Sequence, residues 1–195
     1  MKKILFGILS LMFLSGCLNH QKYSLSFNYE TGLIEKKYYD IRSQKGGKEK
    51  DYSLENDWEL LKSKISKEFG SEYNADVIKP VKAEIYEENG VLCGKETFQV
   101  QLPKAFPSKS AIFEKIHGDN TQELDFKLIN GEIYLFCGSK EVESTNGEIL
   151  KTDKNNIVVW PEEQTVFEFT VNNNNIGGES LLPFYRKEKE LNPAK

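Results

Sequence analysis

Residues 23–29, Tyr-Ser-Leu-Ser-Phe-Asn-Tyr, alternate apolar and polar without a break. Side chains of an extended chain point to opposite faces in turn, so this pattern predicts a strand with one face buried. Glu30-Thr31-Gly32 reads as a turn, and residues 33–41 as the returning strand, with Tyr39 and Ile41 on one face. Asn56-Asp57-Trp58-Glu59 places Asn at an N-cap position with Glu three residues on. Trp58, Leu61, Ile65 and Phe69 then recur at the spacing of one helix face, and Gly70 stands where a C-cap glycine belongs. Residues 77–86 and 91–102 are strands on either side of Glu87-Glu88-Asn89-Gly90, with Pro80 confining the first to an edge or a bulge. Residues 107–118 predict a second helix, with Ala111, Ile112, Phe113 and Ile116 as its apolar side. The clearest hairpin flanks Asn130-Gly131, the signature of a two-residue type I′ turn. Such a turn sets Leu128 opposite Ile133, Phe126 opposite Leu135 and Leu124 opposite Cys137, all on the face expected to be core. Tyr134 and Phe136 point the other way, as a second buried layer or an exposed aromatic pair. Asn146-Gly147 is a further turn, and residues 157–160 and 165–171 are strands. Trp160, Phe184 and Tyr185 either pack over a sheet edge or form an exposed aromatic patch. Together these elements predict an α+β fold: a mainly antiparallel sheet of about six to eight strands with two amphipathic helices packed on one face.

The first seventeen residues follow a different pattern. Lys2 and Lys3 precede an apolar run over residues 4–13, broken only by Gly7 and Ser10. That is the length of a secretory signal's apolar region, and it is too short to span a bilayer. Leu14-Ser15-Gly16-Cys17 follows. An ordinary cut after Gly16 would place the bulky Leu14 where a small residue is needed, whereas a cut after Cys17 would use Ser15 and Cys17. The four residues resemble the lipobox of bacterial lipoprotein precursors. That resemblance implies a thioether-linked diacylglycerol on Cys17, cleavage before it, and often a third acyl chain on the new amino group. Two or three acyl chains give stable anchoring, at about 0.8 kcal/mol per buried CH₂. Leu18 rather than Asp follows the cysteine, which implies the outer membrane if the cell has two. The expected organisation is a signal peptide over 1–16, a tether over 17–22, one domain over 23–185 and a charged, frayed tail over 186–195.

Composition narrows the partners. Without residues 1–16, 179 residues remain, enough for one domain with a real core, and 24 basic against 30 acidic side chains leave a net charge of −6. That argues against nucleic acid and against electrostatic attachment to anionic lipid. Cys93 and Cys137, both in strands, would close a loop of 45 residues if bridged. The alternatives are a disulfide contributing up to about 4 kcal/mol or two separate buried thiols. His20 falls in the expected tether and His117 at the end of the second helix, where a charged imidazole favours the helix dipole. No His-x-x-x-His, phosphate-binding loop, EF-hand or Gly-x-Ser-x-Gly motif occurs, so no catalytic residue, metal or cofactor is assigned. Glu87-Glu88 and Glu162-Glu163 are neighbours in turns, which points their carboxylates apart. The function expected is a non-enzymatic binding or scaffold module of the cell envelope, held extracytoplasmically through Cys17. The rival readings are a carrier or sensor of a small apolar molecule and a hydrolase whose carboxylates are brought together by the fold.

Overall fold

The computed structural model describes residues 18–44, 53–66, 69, 71, 74, 76–101, 103, 106, 108–109, 111–112, 124–153, 155–174 and 176–192. The fold is α+β and mainly antiparallel, as the alternation predicts, with its strands divided between two sheets. The larger holds β1 (Leu18–Asn28), β2 (Leu33–Ser43), β3 (Ile78–Glu88), β4 (Val91–Val100), β7 (Glu141–Thr145), β10 (Val166–Asn172) and the two-residue β11 (Glu179–Ser180). Its order is β3-β4-β2-β1-β10-β7, with β11 added to β2. The smaller sheet runs β5-β6-β9-β8, from β5 (Asp125–Ile129), β6 (Glu132–Phe136), β8 (Glu148–Lys151) and β9 (Asn156–Trp160). Helix α1 covers Leu54–Ser66 and helix α2 Leu182–Leu191.

The local chemistry explains the joints. Asn89-Gly90 and Asn130-Gly131 both take positive φ at their two residues, as a type I′ turn requires. The second produces the expected register, Leu128 with Ile133 and Phe126 with Leu135. Leu128 alone of that face stays half exposed, at 47%. β3 is an edge strand, and its ladder shifts between Pro80 and Lys82, where the missing N–H of proline makes a bulge cheap. Helix α1 starts two residues before the expected Asn56 and is capped by Ser53, whose hydroxyl accepts the Asn56 N–H at 3.0 Å.

The inner face of the large sheet carries the core. Over β1 and β10 it meets the small sheet: Phe126 lies 6.0 Å from Phe169, and Trp160 5.7 Å from Phe167, between ring centroids. Over β2 and β4 it meets α1 and Phe69, whose ring is 5.1 Å from Phe98. Trp160 is fully buried between the two sheets, and Phe184 and Tyr185 pack against the core from α2, so the three do not form an exposed patch.

Three expectations are corrected. Residues 18–22 are not a tether: β1 begins at Leu18, which is 4% exposed and pairs with Ser43, and His20 is half-buried inside that strand. Residues 186–191 are not a frayed tail but the body of α2, held by contacts to α1. Tyr39 and Ile41 do not share a face: Asp40 between them has a positive φ, so Ile41 turns into the core while Tyr39 stays on the outer face with Lys37 and Ser24. The turn expected at residues 146–147 is present, and it passes the chain from β7 in one sheet to β8 in the other. In the expected second helix, residues 109, 111 and 112 are helical and Ile112 is fully buried, while Phe113, Ile116 and His117 lie outside the described residues.

Candidate functional site

The inner face of the large sheet holds a row of polar side chains among its apolar ones. Lys36 and Glu96 are direct partners across β2 and β4, each about 2% exposed. The Tyr38 hydroxyl donates to Glu96 Oε2 at 3.0 Å, and Lys36 Nζ stands 5.2 Å from the centre of the Phe98 ring. The His20 ring meets Tyr38 edge-on at 5.3 Å. Where β4 leaves β2, Asp40 takes a left-handed backbone conformation (φ 54°), and its buried carboxylate accepts from Arg42 Nε at 2.8 Å. Three residues after Asp40, the Ser43 hydroxyl donates to the buried Asp57 of α1. The cavity beside this row, lined by His20, Tyr38, Leu61 and Glu96 among others, measures about 10 Å³. That is room for one water and not for a substrate or an apolar ligand. The row therefore orients strands and helix; desolvated charges of this kind are retained only when their partners are in place.

The cysteines are separate. Cys93 lies in β4 of the large sheet and Cys137 follows β6 in the small one; both are free and buried, so no bridge joins them. Burial raises the Cys93 pKa and pushes Cys137 up to about 12. Both are thus thiols rather than thiolates at neutral pH, and poor nucleophiles. Cys17, the expected lipid-bearing residue, lies outside the described residues. Among the described residues no three His, Cys, Asp or Glu side chains stand close enough to hold a metal ion, and no helix is long and apolar enough to cross a membrane.

A shallow groove of about 260 Å³ runs between α1, β3 and α2, floored by Trp58, Ile85 and Tyr185. Glu188 organises it: its Oε2 accepts from Trp58 Nε1 at 3.1 Å and from Lys62 Nζ at 2.9 Å. The Lys62 hydrogen bond, more than any other contact, holds the Glu188 carboxyl below its ordinary pKa. Arg186 on the same helix grips Glu87 at the end of β3 through two nitrogens. Nothing in the expected tail pointed to this groove; the one local signal stands just before it, at Pro183, a first-turn residue that favours a helix start.

The surface best suited to recognition is the outer face of the small sheet. Cross-strand pairing places Tyr134 beside Val159, and Phe136 and Leu150 on either side of Ile157. Ile129 extends the same face beside Glu132. Tyr134 and Phe136 stack at 6.3 Å, and Lys127 Nζ lies 5.2 Å from the centre of the Phe136 ring. Leu150 and Ile129 are 39% and 38% exposed. Acidic side chains surround this stripe: Glu132, which accepts from the Tyr134 hydroxyl at 2.8 Å, Glu148, and Asp125, which pairs with Lys127 at 2.9 Å. Tyr134 and Phe136 were placed on this face by their parity in the hairpin. Ile157, Val159 and Leu150 were not, because their place beside the aromatics depends on pairings made more than ten residues away.

Comparison with family models, with curated proteins and with solved structures returned no match.

Proposed function

We propose that the chain is an extracytoplasmic lipoprotein, anchored to a membrane through acylated Cys17, that works as a non-enzymatic binding module. Its partner is a protein that lays apolar side chains on the outer face of the small sheet and basic ones against Glu132 and Glu148. The observation that carries this reading is the stripe of Tyr134, Phe136, Leu150 and Ile157 on a face turned away from the core. An aromatic centre within a charged rim is the composition of protein interfaces, and single-domain surfaces seldom gather such side chains by chance. The signal-like segment ending in Leu14-Ser15-Gly16-Cys17 supports the location.

A photo-crosslinking side chain at Leu150 of the full chain, in cells, tests the reading. One discrete protein adduct is expected from position 150 and none from Ser24 on the outer face of the large sheet. The adduct should vanish with Phe136→Asp and weaken with Glu132→Lys. No adduct at position 150, or the same adduct from both positions, would refute the assignment of this face.

A further inference from the structure

The strand that follows Cys17 has no slack. β1 starts at the very next residue, and Leu18 is already paired to Ser43 with its side chain in the core. Ser43 is in turn the partner of Glu179 in β11, so Leu18, Ser43 and Glu179 form one row across an end of the large sheet. Consecutive Cα atoms are about 3.8 Å apart, so an acylated Cys17 would place the headgroup layer within about 10 Å of this row. Resting on the lipoprotein reading above, we propose that the row is the foot of the molecule. The domain stands on the lipid headgroups at this end of the sheet, with β1 running away from the bilayer.

Two features suit this end to that contact. The connection entering β11 presses close to it: a Cβ on Gly178 would fall 2.0 Å from the Ser43 carbonyl oxygen, and φ there is 99°. Glycine is thus required where the chain passes Ser43. Gln44 and Glu179 are exposed there and present polar groups suited to a headgroup layer. The eleven residues of β1 put the turn after Asn28 about 33 Å further out. The core contact of the small sheet, Phe126 on Phe169, is level with Leu25, about 23 Å above the foot. The outer face of that sheet is thereby kept clear of the lipid and open to a protein.

The test uses the acylated full-length chain in phosphatidylcholine vesicles that contain a lipid with a nickel-chelating headgroup. Spin labels are placed at Gln44→Cys and, separately, at Glu30→Cys in the far turn. The fully buried native thiols stay unlabelled, which the unsubstituted protein checks. Nickel is expected to relax the label at position 44 several-fold more than the label at position 30. Inserting an eight-residue Gly-Ser linker between Cys17 and Leu18 should abolish the contrast. Equal relaxation at both positions without the linker, or the reverse order, would overturn the proposal. Intact mass of the same preparation separates the two ideas: a chain without acyl groups refutes the lipoprotein reading itself, whereas acylation with equal relaxation refutes only the fixed stance.

Discussion

The two sheets turn into one another at Asn146. Its side-chain oxygen accepts from Trp160 Nε1 and from the Glu168 N–H, both at 2.9 Å, while its amide donates to the Val166 carbonyl at 2.9 Å. Asn146→Ala leaves the N–H of a fully buried indole unsatisfied, a loss on the order of 1–3 kcal/mol. A lowered urea midpoint at unchanged slope is the expected result. Gly147→Ala is expected to be harmful for another reason, since a Cβ there would stand 2.6 Å from Trp160 Nε1. The buried cross-strand neighbours Lys36 and Glu96 have a sharper signature. Glu96→Ala removes the acceptor of the Tyr38 hydroxyl inside the core, at a cost on the order of 1–3 kcal/mol. Lys36→Met combined with Glu96→Leu should cost less than Glu96→Ala alone. A double variant as unstable as the two single changes summed would contradict that account.

Among the elements, α2 depends most on tertiary contacts. Its last residue, Leu191, is 72% exposed, and its hold on the domain passes through Leu182, Tyr185, Arg186 and Glu188. The Glu188 carboxyl has a pKa lowered from 4.5. A lowered pKa in the folded state means stability that is present above the unfolded value and lost as pH falls through the folded one. The side chain is 44% exposed, so solvent screening limits the effect to about 1 kcal/mol or less. Glu188→Gln should therefore lower the urea midpoint slightly at pH 6, and by less as the pH is brought down below 4.5. A difference that does not shrink on acidification would assign the effect to geometry rather than charge. This helix also marks where sequence reading stopped. Arg186-Lys-Glu-Lys-Glu190 is indistinguishable from a solvated tail until Trp58 and Lys62 are brought against it. The Asn-Gly hairpins were legible because their turn chemistry is local, down to the register of Leu128 with Ile133. β7 and β8 were not, since their side chains alternate too weakly: all four residues of β8 are exposed. The division into two sheets was equally hidden, because period-two alternation says which face is buried and not which strand lies alongside.

At the scale of the molecule, one broad sheet supports two different layers on its inner face, the small sheet over β1 and β10 and α1 over β2 and β4. The outer face stays polar, with Ser24 bonded to Thr170 at 2.7 Å and Lys95 paired with Glu35 at 2.7 Å. The site proposed for recognition thus sits on the added sheet, while the sheet that begins at Leu18 bears the attachment. Each sheet also contains one cysteine, Cys93 in the large and Cys137 in the small, both fully buried and both with pKa values raised by burial. An alkylating reagent can reach either thiol only when the sheet around it opens, so the two residues are built-in clocks of local opening. If the layers unfold as one cooperative unit, both thiols will be blocked at a single rate, and Asn146→Ala will speed the two equally. If the corner at Asn146 is a seam between two units, Cys137 will be lost first, and the difference between the rates will measure how much of the molecule's stability belongs to the junction.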